Sequence, residues 1–193
     1  MSLDAAATTT PREDTELMRR VQMGDEAALG ALMQRWELSL KAVIGRIVLN
    51  ASEAEELAQE TFVRVWQQRG KYRPDAAFRP WVFTIAVNLA RNRLRWWKRR
   101  PVVALDDWTE VPTDDGAVDD SGTRRLERAE RVKAVRDAIA DLPTELREAL
   151  ILFEYEQMSY AEIAETVGAS TKAVENRIAR ARAKLGVTLK SWG

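Results

Sequence analysis

Residues 159–185 read SYAEIAETVGASTKAVENRIARARAKL. Two short helical patterns flank a tight break. Ser159 followed by Glu162 makes a capping box, in which a hydroxyl and a carboxylate satisfy each other's orphan backbone donors at a helix start. Ile163, Ala164 and Val167 give that helix a short apolar face. Gly168 can take the left-handed backbone that a sharp turn demands, and Ser170 offers a cap for the next helix. Wound at about 100° per residue, the second helix carries Val174, Ile178, Ala181 and Leu185 on one stripe and Lys172, Asn176, Ala179 and Ala183 on the opposite one. Size and spacing predict a helix-turn-helix.

The outer stripe has chemistry suited to a DNA groove. An amide and a cation can hydrogen-bond base edges, and two alanines let the backbone lie close to the groove floor. Arg180 sits beside them, Arg177 and Arg182 flank the stripe where they would reach phosphates, and Glu175 could accept from a cytosine amine. The plain alternative is a packed bundle with a solvated basic face. Cap, turn glycine and split faces all agree on the sharper reading.

Outward from this motif the chain is helical in pattern throughout, with no strand signal. Asp14 or Thr15 is expected to cap a first helix ending at Gly24, and Asp25 a second whose stripe is Leu29, Leu32, Met33, Trp36, Leu40, Val43, Ile44 and Ile47. Ser52 with Glu55 reads as a capping box for a third helix running to about Arg69. Gly70, Pro74 and Pro80 punctuate the next connection, after which Trp81, Val82, Ile85, Ala86 and Leu89 restore helical spacing. Helical pattern resumes near Arg124, breaks at Leu142-Pro143 and restarts through Leu146, Leu150 and Phe153.

Composition bounds the function. The 193 residues are 46% apolar, with 30 basic and 30 acidic side chains, the profile of a helix-rich globular protein. Cysteine and histidine are absent, which removes disulfides, thiol nucleophiles and the commonest metal ligands, so no metal, cofactor or catalytic residue is expected. No signal peptide or membrane-spanning stretch is apparent, so no stable membrane insertion and a cytoplasmic location are expected.

The zero net charge is an average over opposed segments. Between Ala76 and Arg100 there is no acidic residue, and Arg91, Arg93, Arg95, Lys98, Arg99 and Arg100 crowd the end. Asp106, Asp107, Glu110, Asp114, Asp115, Asp119 and Asp120 then follow with no cation between Pro101 and Thr123. This second stretch reads as a flexible acidic linker over 101–123. The expected organisation is a disordered tail over 1–13, a domain over 14–100, the linker, and a domain over 124–193 containing the helix-turn-helix: all-α, two small helical domains.

Two further surfaces stand out. Asn88, Arg91, Asn92 and Arg95 form a polar stripe expected to lie opposite Val82, Ile85 and Leu89, with Trp96 and Trp97 at its end. Amides and guanidinium groups interleaved with aromatics suit strand-separated DNA, whose bases stack on rings while cations track phosphates. Trp66, Trp81 and one of Trp96 and Trp97 read equally well as packing residues. In the third helix Glu53, Glu56 and Glu60 share one face, and Leu57, Thr61 and Val65 another. An acidic stripe beside apolar residues fits a protein partner, although acids early in a helix also answer the macrodipole.

Taken together, Glu53-Ala-Glu-Glu-Leu-Ala-Gln-Glu-Thr-Phe-Val-Arg-Val-Trp66, Phe78-Arg-Pro-Trp-Val-Phe-Thr-Ile-Ala-Val-Asn88 and the stretch from Leu142 to Leu185 resemble the extracytoplasmic-function (group IV) sigma factors of bacteria. The resemblance covers roughly residues 14–190. It implies a factor without catalysis of its own that binds core RNA polymerase, directs initiation at a subset of promoters in settings such as stress responses, is held inactive by an anti-sigma factor, and is otherwise a monomer. By matching position, it implies polymerase docking by Glu53, Glu56, Leu57, Gln59, Glu60, Phe62 and Val63. It implies minus-ten DNA binding by Asn88, Arg91, Asn92, Arg95, Lys98 and Arg99, and minus-thirty-five DNA binding by Ser170, Thr171, Lys172, Glu175, Asn176, Arg177 and Arg180. The chain departs from the family pattern at Asn92 and in the Trp96-Trp97 pair. A stand-alone helix-turn-helix regulator, dimeric on a palindrome, is the competing reading; a small carboxylate enzyme is disfavoured because no acid pair sits in an evident apolar pocket.

Overall fold

Local chemistry sets the helix boundaries. The computed structural model describes residues 11–99 and 122–190. Eight α-helices occur among them, with no strand: α1 Pro11–Gln22, α2 Glu26–Val48, α3 Ala51–Gln68, α4 Phe78–Arg99, α5 Gly122–Ala140, α6 Thr144–Glu154, α7 Tyr160–Val167 and α8 Thr171–Leu189. A 3₁₀ turn, Arg69–Lys71, follows α3. Residues 11–13 and 122–123, expected in the tail and linker, are helical; the rest of those two expectations falls outside the described residues.

Three helix starts repay attention. Asp25 caps α2, accepting from the Ala28 N–H at 3.1 Å. The cap of α3 is Asn50 and not the expected Ser52: its side chain accepts from the Glu53 N–H at 2.9 Å. The chain reverses at Leu49, which takes a left-handed φ of 60° and so places Asn50 in the cap position. Asp14, expected to start α1, lies inside it and is buried, accepting from Arg35 at 3.1 Å and Trp36 at 3.2 Å. Burial pushes its carboxyl up despite those two donors.

The α1–α4 core gathers Met18, Leu32, Ile44, Phe62, Phe78 and Phe83 with almost no exposure. Trp36 packs edge-on against Phe83 at 6.0 Å between ring centroids, and Tyr72, Phe78 and Trp81 extend the cluster. The segment entering α4 is pinned from both sides. Gln22 donates to the Arg69 and Tyr72 carbonyls, each at 2.9 Å, and the Tyr72 hydroxyl donates to the Ala76 carbonyl at 2.7 Å. These bonds fix where the basic helix begins.

Helix α6 is buried on nearly every side from Leu146 to Leu152, the signature of a helix with neighbours all round. Ala149, Ile151 and Leu152 join the same apolar cluster as α1–α4, together with Met158, Ile163, Val174 and Ile178. Leu146 and Leu150 close a smaller cluster with Ile139, Leu142 and Ala181. The two helical halves are therefore packed against one another through a shared core. Arg147, within α6, donates to the carbonyls of Ile47 at 2.8 Å, Ala140 at 2.7 Å and Leu142 at 3.0 Å. It thereby serves carbonyls at the ends of α2 and α5 and in the turn between α5 and α6,. Burial lowers its affinity for the proton, with the charges of Glu148 and Asp141 opposing that shift.

The cap assignment makes a direct prediction. Asn50→Ala should lower unfolding free energy by about 1 kcal/mol, as loss of an N-cap does, while Ser52→Ala should change it by less than about 0.5 kcal/mol as an ordinary surface substitution. Equilibrium urea denaturation of the two variants decides, and the reverse ranking would contradict the cap.

Candidate nucleic-acid interface

The helix-turn-helix forms as its sequence dictates. Ser159 and Glu162 make both bonds of the capping box: the Ser159 N–H donates to the Glu162 carboxylate at 2.8 Å, and the Glu162 N–H to the Ser159 hydroxyl at 3.3 Å. Gly168 closes α7 with φ 67°, and Ser170 caps α8 by accepting from the Ala173 N–H at 3.2 Å. Val174, Ile178 and Ala181 are buried, while Thr171, Lys172, Glu175, Asn176, Ala179, Arg180 and Ala183 are exposed. Helix α8 thus stands with its apolar stripe in the core and its polar stripe outward.

The cations bordering that stripe differ in freedom. Arg177 pairs with Glu145 of α6 at 3.0 Å, and Arg182 pairs with Glu154 at 2.7 Å while lying 5.0 Å over the Phe153 ring. Both are tied back to the domain. Arg180 is exposed and makes no ion pair with a described residue, and Lys172 pairs with Glu175 of its own helix at 2.8 Å. Arg180 is therefore tied to no described carboxylate, and Lys172 only to one on its own helix.

Helix α4 divides its polar residues between two sides. Its core stripe is Val82, Phe83, Ala86, Val87 and Ala90, whereas Ile85 and Leu89 are only half-buried. Ile85 and Leu89, expected in the core stripe, face a groove beside α3 together with Asn88 and Asn92. That groove continues past Arg95, Trp96 and Arg99 into an open concavity of about 1040 Å³ that also includes Glu56, Gln59 and Val63. Lys98 is exposed at the end of the helix. Trp96 is 40% exposed, whereas Trp36, Trp66, Trp81 and Trp97 pack onto the core.

Arg91 turns the other way. Its guanidinium pairs with Glu148 at 2.6 Å and donates to the Val167 carbonyl at 3.3 Å. The hydrogen bond to Glu148 raises the Arg91 pKa above its ordinary value, outweighing burial. The expected four-residue stripe is accordingly split, with Asn88, Asn92 and Arg95 on the α3 side and Arg91 in the seam with α6 and α7.

On α3, Glu56, Gln59 and Val63 are exposed and Glu60 half-exposed, while Leu57 and Phe62 are buried. Glu53 and Glu56 both pair with Arg93 of α4, and Glu60 with Arg64 at 2.7 Å. The acidic stripe is present but partly neutralised by these arginines.

A family model described as Sigma-70 region 2 matches residues 32–100, and one described as Sigma-70, region 4 matches residues 133–185. The RNA polymerase sigma-H factor of Pseudomonas aeruginosa is 36% identical over 186 residues, covering 94% of this chain and 96% of that protein. The ECF RNA polymerase sigma-E factor of Escherichia coli is 33% identical over 173 residues, covering 88% and 90%. This chain belongs to the extracytoplasmic-function sigma factors. Among solved structures, that of CnrH in complex with the cytosolic domain of CnrY aligns with TM-score 0.69 and 29% identity, covering 93% of this chain and 98% of that one. The sigma factor RpoE in complex with the anti-sigma factor NepR from Bartonella quintana shares the fold, with TM-score 0.65 and 23% identity over 83% of this chain and 96% of that one. Sigma factors are transcription initiation factors, and the helix-turn-helix of this one lies within the matched region 4.

Sequence reasoning overlooked Arg147 and Glu148. The signal was present: α6 has apolar residues at Leu146, Ala149, Leu150, Ile151 and Leu152, too many faces for one stripe. Charged residues embedded in such a helix are buried and must find partners.

A pH dependence follows from the capping box. Burial raises the Glu162 carboxyl, but the Ser159 hydroxyl and backbone N–H, with the Arg79 charge, pull it below its ordinary value. Its contribution is complete above the unfolded pKa near 4.5 and is lost as pH falls through the lower folded value,. Glu162→Gln should therefore flatten the acid limb of a Tm-against-pH curve, and an unchanged acid limb would contradict the assignment.

Proposed function

We propose that this sigma factor docks on core RNA polymerase through the exposed edge of α3, holds the opened minus-ten strand along α4, and reads the minus-thirty-five duplex with α8. The observation that carries this reading is the separation of two differently built surfaces. One is a groove with half-buried apolar residues and amides, rimmed by Arg95 and Arg99, with Lys98 exposed at the end of the same helix, which suits unstacked bases. The other is a convex helix with Lys172, Asn176 and Arg180 outward, which suits a major groove. Ser170 and Thr171 stand at the N-terminal end of that helix, where phosphate contact is favourable. Glu56, Gln59, Glu60 and Val63 present the docking edge, with Glu53 and Leu57 beside it and Phe62 supporting it from the core.

The proposal divides the chain into a polymerase-binding and minus-ten domain over 14–100, an acidic connection over 101–123 and a minus-thirty-five domain over 124–193. It places the factor in the cytoplasm as a monomer that supplies recognition and strand opening, the polymerase supplying the chemistry. Among the described residues no helix is long and apolar enough to cross a membrane. Control by an anti-sigma factor is part of the proposal, supported by the likeness to CnrH bound to the cytosolic domain of CnrY.

Run-off transcription with core polymerase over a promoter library tests it. The wild type should select bipartite promoters. Alanine at Lys172, Asn176 and Arg180 together should abolish minus-thirty-five dependence, since a good base contact is worth about 1–3 kcal/mol of discrimination, and should leave core binding intact. Glu56→Lys with Glu60→Lys should abolish core binding. A wild type that selects no promoter with core polymerase would overturn the reading.

A further inference from the structure

Trp96 and Trp97 are neighbours in sequence with opposite fates. Trp97 packs onto the core, as Trp36, Trp66 and Trp81 do, whereas Trp96 is 40% exposed. It lines the concavity between α3 and α4 beside Leu89, Asn92, Arg95 and Arg99. Asn88, Asn92 and Trp96, each four residues from the next, are all exposed. Such residues share a helix face and rise about 6 Å from one to the next, well above the roughly 3.4 Å between stacked bases. Bases held by successive members of this row are pulled off one another and lose their mutual stacking. A ring at the end of the row gives one of them a new stacking partner.

The charges around the concavity sort the parts of a nucleotide. On the α3 side Glu53 and Glu56 pair with Arg93, and Glu60 with Arg64; even so paired, these carboxylates offer a phosphate no attraction. On the α4 side Arg95 and Arg99 line the rim, and Lys98 is exposed next to them. A phosphate is therefore drawn to the α4 rim, and the uncharged base is the part that enters.

We propose that Trp96 is a stacking platform for one unpaired base of the opened non-template strand, with Arg95, Lys98 and Arg99 holding the flanking phosphates. The inference rests on the reading of α4 as the strand-holding surface and adds the residue that captures a base there. Stacking on a ring accepts any base, because each has a π-face. Trp96 thus keeps the strand open without specifying sequence, while Asn88 and Asn92 can hydrogen-bond base edges.

2-Aminopurine, whose emission is quenched by stacking, reads this directly. Holoenzyme is assembled from the full chain and core polymerase on a promoter selected by run-off transcription. The minus-ten segment is held open by mismatches, and 2-aminopurine replaces each non-template base in turn. One position should be quenched in the wild type and regain emission with Trp96→Ala. The same variant should shorten the lifetime of the open complex about tenfold, the change that about 1.4 kcal/mol produces and the order of one base-aromatic stack. Trp96→Phe should retain most of both effects, and Trp96→Leu, which keeps apolar bulk without a ring, should behave as the alanine variant does. Core affinity should be the same in all three. Emission independent of residue 96 at every position, or a leucine variant as good as the phenylalanine one, would overturn the stack. Loss of core affinity in Trp96→Ala would also overturn it, assigning the concavity to the polymerase. A wild type that selects no promoter would instead overturn the reading of α4 itself, and the stack with it.

Discussion

The structure turns on one buried ion pair. Arg91 and Glu148 come from helices 57 residues apart and meet where α4, α6 and α7 converge. Such a pair has a particular energetic character. Glu148 is buried while the Arg91 guanidinium keeps partial access to water, so removing the arginine leaves an uncompensated buried carboxylate, yet the intact pair is nearly balanced against its separated, hydrated ions. A hydrophobic seam of equal size would hold more firmly and release less readily.

Around that pair, α4 and α8 each present polar residues on a supported helix, but in different ways. Helix α8 buries one stripe and shows the opposite one, so its polar residues project from a rigid support. Helix α4 buries Phe83, Ala86, Val87 and Ala90 and leaves Ile85 and Leu89 half-covered beside α3. The first arrangement gives a convex ridge and the second a lined concavity. Duplex grooves admit ridges, and unstacked bases need concavities with apolar floors. The different shapes of the two surfaces follow from how completely each helix is covered by its neighbours.

Much of this was legible in the residues. The Ser159–Glu162 box, the Gly168 turn, the Ser170 cap and the buried Val174, Ile178 and Ala181 are short-range features, and short-range chemistry determined them. The third-helix faces were legible for the same reason: Leu57, Thr61 and Val65 went inside as their spacing required. Misplaced details share a cause. Ser52 and Asn50 are equally good caps, and only the left-handed turn at Leu49 decides between them. Asp14 reads as a cap until Arg35 and Trp36, 21 and 22 residues away, take its carboxylate inward. Arg91 carried no sign of its partner, because periodicity assigns a face and not the side chain that will meet it. Arg177 and Arg182 likewise look like free phosphate contacts until Glu145 and Glu154 are seen to hold them.

The central claim is that α4 and α8 act on two separate elements of one promoter while the chain is bound to polymerase. Photo-crosslinking groups placed in turn at Asn92 and Asn176 of the polymerase-bound factor, on a single end-labelled promoter, test this most directly. The account predicts that Asn92 marks the non-template strand at the minus-ten element and Asn176 the duplex near minus thirty-five, about 25 base pairs upstream. Crosslinks from both positions to one element, or from neither to promoter DNA, would contradict it.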